Sequence, residues 1–174
     1  MSGREASSPS AEAVASRPMP DAPAFQIDPN ATFDVTFDTD KGEIVARLDA
    51  ALAPNTVNNF VVQARAGFYD GLTFHRVVPG FVIQGGDPDG TGKGGPGYKF
   101  ADEPVKAPYV LGALAMANAG PDTNGSQFFI CIDDCQDKLQ PLYNLFGNVT
   151  SGIEVAQAIQ VGDKMRKVTV TDVA

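Results

Sequence analysis

Tryptophan is absent from this chain, and histidine occurs once and cysteine twice in 174 residues. A single His75 with two cysteines falls one short of the four-ligand Cys/His set of a structural zinc site, so no such metal site is expected. Cys131 and Cys135, if both lay on one strand, would stand about 13 Å apart, beyond the reach of a disulfide. A turn at Asp133-Asp134 would bring them closer. So low a count reads as two reduced, structural thiols, as in a cytosolic protein. Positive charge is short as well: 13 Lys and Arg face 21 Asp and Glu, for a net charge of −8. That deficit argues against a nucleic-acid partner, which needs clustered cations, and disfavours anionic membrane surfaces. No apolar run approaches the roughly 18–20 residues of a membrane-spanning helix. What remains is an ordinary globular mix, 43% hydrophobic, long enough for one domain with one sizeable core.

Glycine, by contrast, is concentrated. Residues 85–97 read GGDPDGTGKGGPG, seven glycines in thirteen positions. Gly90-x-Gly92-x-x-Gly95 satisfies the dinucleotide fingerprint as a bare string. The mechanism behind that fingerprint needs a helix opening directly after it, and here Pro96-Gly97-Tyr98 follows instead. The phosphate-binding P-loop pattern fails too, because Lys93 is followed by Gly94 rather than Ser or Thr. Nucleotide binding is therefore rejected, and the loop needs another purpose.

Residues 1–30 are rich in Ser, Ala and Pro without usable periodicity and predict a flexible extension before a domain at 31–174. Ala13-Val14-Ala15 is too short for a signal-peptide core, so the chain as written is expected in the cytoplasm. The alternative is an exported protein whose first 30 residues are the spacer after a removed signal. From Thr32, Phe33, Val35 and Phe37 alternate with polar residues, and Ile44, Ala46 and Leu48 repeat the pattern after a turn at Asp40-Lys41-Gly42. Pro54 then opens a helix whose apolar positions are Val57, Phe60, Val61 and Ala64, with Gly67 just past its end. Short β-like pieces follow at 73–77, 81–84, 111–117, 127–132 and 145–149. A short helix at 153–159 and a strand at 168–173 complete the chain. Many short strands with two helices predict a barrel or sandwich.

Two segments are far more specific. Phe74 to Asp87 reads FHRVVPGFVIQGGD, and Met116 to Ile130 reads MANAGPDTNGSQFFI. As a pair they resemble the cyclophilins, the peptidyl-prolyl cis/trans isomerases, over about residues 32–173. The resemblance implies a mainly β fold, a closed eight-stranded antiparallel barrel capped by two α-helices, with a substrate groove on its outer face. It makes the glycine loop part of the groove wall, near a secondary pocket, where a peptide backbone approaches closely. It implies Arg76 as the donor to the twisted amide, Gln84 as the residue orienting the substrate carbonyl and that arginine, and Phe81, Phe129 and Leu139 as the proline pocket. Val82 lies beside them. Asn118 falls where the family pairs with the substrate backbone, between Ala117 and Ala119, and Gln127 and Gly90 line the adjoining pocket. The partners implied are proline-containing peptides and unfolded chains, with no metal and no cofactor. A binding module that captures such segments with little turnover is the competing class, and Arg76 together with Phe81, Gln84 and Phe129 favours the enzyme.

The chain departs from the family at Lys138, where many members have Trp, and at Tyr143, where they usually have His. Without the indole donor, cyclosporin-type ligands are expected to bind weakly. Outside the resemblance, Arg76 would be a surface ion-pair partner, and the phenylalanines would be core. His75, with no acid or nucleophile motif nearby, reads as a hydrogen-bonded structural residue. Asp133, Asp134 and Asp137 read as a solvated face. The Asn124 and Asn148 glycosylation patterns read as structural. An acidic single-domain chain suggests a monomer.

Overall fold

The computed structural model describes residues 22–173. Alternation builds its sheet. In β1 (Thr32–Thr39) and β2 (Gly42–Asp49), joined by a tight hairpin, Phe33, Val35 and Phe37 pair with Leu48, Ala46 and Ile44, and all six are buried. Helix α1 (Pro54–Arg65) begins at the expected proline, and Gly67 follows it at φ +80°. Its cap comes from far along the chain. The backbone N–H groups of Asn55 and Thr56 donate to the carboxylate of Glu103 at 3.0 and 2.8 Å, where a negative charge also meets the helix dipole.

The remaining elements are β3 (Phe74–Val78), β4 (Val82–Gly85), β5 (Ala113–Met116), β6 (Phe128–Cys131), β7 (Leu145–Ser151), α2 (Ile153–Ala158) and β8 (Met165–Asp172). All seven strand pairings are antiparallel, in the order β3-β4-β6-β5-β7-β2-β1-β8. The fold is therefore mainly β, with an eight-stranded antiparallel sheet and two helices. The expected closed barrel is instead an open, curled sheet. Its edge strands β3 and β8 share no ladder, only the bridge Thr73↔Lys164 and a few hydrogen bonds around it, such as Met165 N–H to the Leu72 carbonyl at 2.7 Å. Gly71 at φ +82° and Gly162 at φ +94° turn the chain out of extended geometry beside that bridge, which leaves too little strand to zip.

Of the expected extension at residues 1–30, residues 1–21 lie outside the described residues. Residues 22–30 run against α1: Asn58 donates to the Ala24 carbonyl at 3.1 Å and accepts from Gln26 N–H at 2.8 Å, and Ile27 packs on the core.

Inside the curl, Phe128 is the hub. Its ring meets those of Phe37, Phe60 and Tyr69 at centroid distances of 5.5, 5.6 and 5.6 Å, and none of the four is exposed. Truncating it removes aromatic contacts that the surrounding backbone cannot close over. Phe128→Ala is expected to destabilise the fold by about 3–5 kcal/mol, read from urea unfolding.

Candidate active site

Strands β4, β5 and β6 are buried along their whole length, because each serves two apolar layers. The period of two sends Ile83, Leu114, Met116, Phe128 and Ile130 into the main core. The intervening residues Val82, Ala113, Ala115, Ala117, Phe129 and Cys131 build a second apolar cluster on the outer face. The three alanines keep the floor of that face low. Phe81, Leu139 and Tyr143 stand partly buried at its rim.

Arg76 reaches this outer face through a bulge. Phe74 pairs with Gly85, but Arg76 pairs with Gln84, Val77 with Ile83 and Val78 with Val82. Continuing the first register would set Arg76 opposite the core residue Ile83. His75 is the extra residue that shifts it by one, a recurrent device for re-aiming a side chain beside a site.

Arg76 Nη1 donates to Gln84 Oε1 at 3.3 Å, Gln84 Nε2 to Gln127 Oε1 at 2.9 Å, and Gln127 Nε2 to the Gly94 carbonyl at 2.9 Å. A guanidinium can only donate and a carbonyl can only accept, so both amides between them have one permitted orientation. Gln84 and Gln127 are buried, whereas Arg76 is exposed to the groove and forms no ion pair among the described residues.

Nine predicted residues line one outer-face cavity of about 340 Å³: Arg76, Phe81, Val82, Gln84, Ala117, Asn118, Phe129, Leu139 and Tyr143. A second cavity of about 320 Å³ adjoins it through Ala117 and is lined by Ala119, Gln127 and the stretch Lys93–Lys99. Gly90 lines neither cavity; an added Cβ there would have only Thr73 Oγ1 nearby, at 3.8 Å. The glycine loop does form a wall of the second cavity, but through Gly94–Gly97. Asn118 is braced by donating to the Leu142 carbonyl at 2.9 Å and accepting from Gly120 N–H at 3.1 Å. Lys138 Nζ donates to the Gly80 carbonyl at 2.7 Å.

Sequence reasoning missed Tyr109. Its hydroxyl donates to the Tyr143 carbonyl at 2.6 Å and accepts from Tyr143 N–H at 3.1 Å, pinning one wall of the groove. Burial pushes its pKa up to about 12, so it stays a donor across the working range. No local pattern announced it, because its partner lies 34 residues away. The cysteines are free and buried, and desolvation pushes the Cys131 thiol well up.

An apolar cavity with a cation at its edge thus adjoins a second cavity on the outer face of a curled antiparallel sheet, the shape of a binding groove. The family model described as "Cyclophilin type peptidyl-prolyl cis-trans isomerase/CLD" matches residues 32–174. Peptidyl-prolyl cis-trans isomerase B of Bacillus subtilis is 52% identical over 133 residues, covering 75% of this chain and 92% of that protein. A peptidyl-prolyl cis-trans isomerase of Synechococcus elongatus is 48% identical over 140 residues, covering 79% and 96%. Among solved structures, a cyclophilin-type isomerase of Cryptosporidium parvum superposes with a TM-score of 0.75 at 31% identity, over 82% of this chain and 99% of that one. The same enzyme solved in the presence of the dipeptide Ala-Pro gives 0.70 at 32% identity, over 81% and 99%. The chain belongs to the cyclophilin-type peptidyl-prolyl cis-trans isomerases. It catalyses rotation about X–Pro peptide bonds.

His75 sits behind the groove with both ring nitrogens buried, facing the Gln127 amide that also bonds Gln84 and the Gly94 carbonyl. Burial pushes its pKa down; Asp87 opposes this, Arg76 adds to it, and the Gln127 amide opposes it. A group depressed in the folded state contributes stability above its unfolded pKa of about 6.5 and loses it as pH falls through the lower folded value. Between pH 7 and pH 5, wild type should therefore lose more unfolding free energy than His75→Gln, measured by urea titration at each pH.

Proposed function

We propose that Arg76 is the catalytic donor of this isomerase and that Phe81, Phe129 and Leu139 hold the proline ring while the chain on one side turns. The barrier to be lowered is about 18–20 kcal/mol, set by the partial double bond of the amide. In the twisted amide the nitrogen becomes pyramidal and regains its lone pair. A guanidinium N–H aimed there bonds the transition state more strongly than either planar ground state, which is the requirement for acceleration. No nucleophile and no proton transfer is needed. The observation that carries this reading is the placement of Arg76, held by Gln84, at the edge of the one outer-face cavity that also holds Phe81, Phe129 and Leu139.

Holding requires an apolar floor. Phe129 is 4% exposed and meets Tyr143 edge to face at 5.5 Å, which supports Tyr143 as a wall of the proline pocket. Burying a proline-sized apolar ring there contributes about 1.5–3 kcal/mol. Asn118 lies between the two cavities and offers backbone to an extended substrate; Ala117 and Ala119 leave room for it. The substrates this supports are exposed X–Pro segments of peptides and unfolded proteins, with the adjoining cavity at Gln127 taking a neighbouring side chain.

Arg76→Ala is expected to lower kcat/KM about 10²–10³-fold in a chymotrypsin-coupled or NMR-exchange assay on a short X–Pro peptide, with peptide binding retained. Full activity in that variant would overturn the assignment. Wild type that binds the peptide without accelerating exchange would make the fold a capture module. Lys138 is tied to the Gly80 carbonyl and offers no ring N–H to a macrocyclic ligand. Lys138→Trp is accordingly expected to tighten cyclosporin binding, read by calorimetric titration; equal affinities would refute that role.

A further inference from the structure

We propose that Asp87 is a positioning residue for the isomerase reaction, acting through the Gly94 carbonyl on Gln127, then on Gln84 and Arg76. The proposal rests on the reading of Arg76 as the donor.

Asp87 is 1% exposed and forms no ion pair among the described residues. Its charge is met by the glycine loop itself. Oδ1 accepts from Asp89 N–H at 2.8 Å, and Oδ2 from Thr91 N–H at 2.8 Å and Gly92 N–H at 2.5 Å. The loop that resembled a phosphate cradle thus wraps its N–H groups around an internal anion, which fixes its curvature. Gly94 lies directly against the same carboxylate: an added Cβ would come within 2.0 Å of Asp87 Oδ1. Asp87 therefore packs against the Gly94 backbone, with Asp89 Oδ2 2.7 Å from the same added Cβ, and the Gly94 carbonyl is the terminal acceptor for Gln127 Nε2.

The consequence at the groove follows from donor and acceptor counting. While the carbonyl is in place, Gln127 must turn its oxygen toward Gln84, and Gln84 must turn its oxygen toward Arg76. When the carbonyl moves away, Gln127 is free to flip. A flipped Gln127 presents NH₂ to the NH₂ of Gln84, which then favours a flip of its own and faces the guanidinium with a donor. Arg76 loses its only side-chain acceptor in the relay and swings toward solvent. The apolar side chains of the cavity, Phe81, Phe129 and Leu139, take no part in these steps, so holding the proline ring and turning the bond separate.

The test is a double-mutant cycle on a short Ala-Pro peptide with Asp87→Asn, Gln127→Ala, the double variant, and Arg76→Ala alongside. Asp87→Asn keeps the shape but turns an NH₂ toward loop donors. It should lower kcat/KM about 5–30-fold while the peptide Kd from NMR titration stays within about twofold. In the Gln127→Ala background the same change should add less than about twofold, because both act on one chain of bonds. The Gln84 side-chain amide resonances should shift in Asp87→Asn. If Asp87→Asn does not fold, Thr91→Pro, which removes one N–H from the carboxylate, takes its place with the same readouts. Penalties that multiply independently, or a lower Tm with unchanged kcat/KM, would overturn the proposal while leaving Arg76 as donor. An Arg76→Ala variant of full activity would instead remove the reading on which the proposal stands.

Discussion

A guanidinium stabilises a twisted amide only if it is held at the groove without being neutralised there. This chain holds Arg76 with a neutral amide, Gln84 Oε1 at 3.3 Å, and not with a carboxylate. A carboxylate partner would bind it more tightly and would also cancel much of the field it presents to the groove. The amide costs that field little, provided it cannot flip. Gln127 and the Gly94 carbonyl remove that freedom, and the single-residue bulge at His75 puts the arginine on the correct face in the first place.

The rest of the groove inherits its rigidity from the sheet. Because β4, β5 and β6 carry the main core on one face and the apolar cavity on the other, the cavity floor cannot shift without disturbing Phe128, Ile130 and Leu114 behind it. Alanines at 113, 115 and 117 keep that floor shallow, and Phe129 rises from it. Tyr109 then fixes Tyr143 from outside the strands by bonding both polar groups of its backbone. Strength in the core is thereby converted into preorganisation at the surface, where an extended peptide needs a firm wall.

Much of this was legible in the residues. Period-two alternation located the β1–β2 hairpin, and Pro54 with Gly67 bracketed α1. Of the nine candidate residues that share one cavity, seven lie in the two long segments resembling a known family, and Leu139 and Tyr143 came from the wider resemblance beyond them. What stayed hidden is long-range or arises from one added residue. The bulge breaks the very periodicity that would reveal it. The Glu103 cap on α1 joins positions 47 and 48 residues apart. Closure of the sheet depends on whether Thr73 and Lys164 extend a ladder, which two local turns decide against. Gly90 falls outside both cavities because the Asp87 turn places the later glycines, Gly94–Gly97, against the groove.

Turning and holding can be separated on the enzyme itself. Two-dimensional NMR exchange on an Ala-Pro peptide at saturating enzyme gives the bound-state cis/trans rate apart from affinity. With Arg76→Lys, which keeps the charge and loses the planar fork, the bound rate should fall while the Kd holds. With Phe129→Ala, the Kd should weaken while the bound rate is largely kept. A lysine variant that turns the bound peptide as fast as wild type would contradict the catalytic role of the fixed guanidinium.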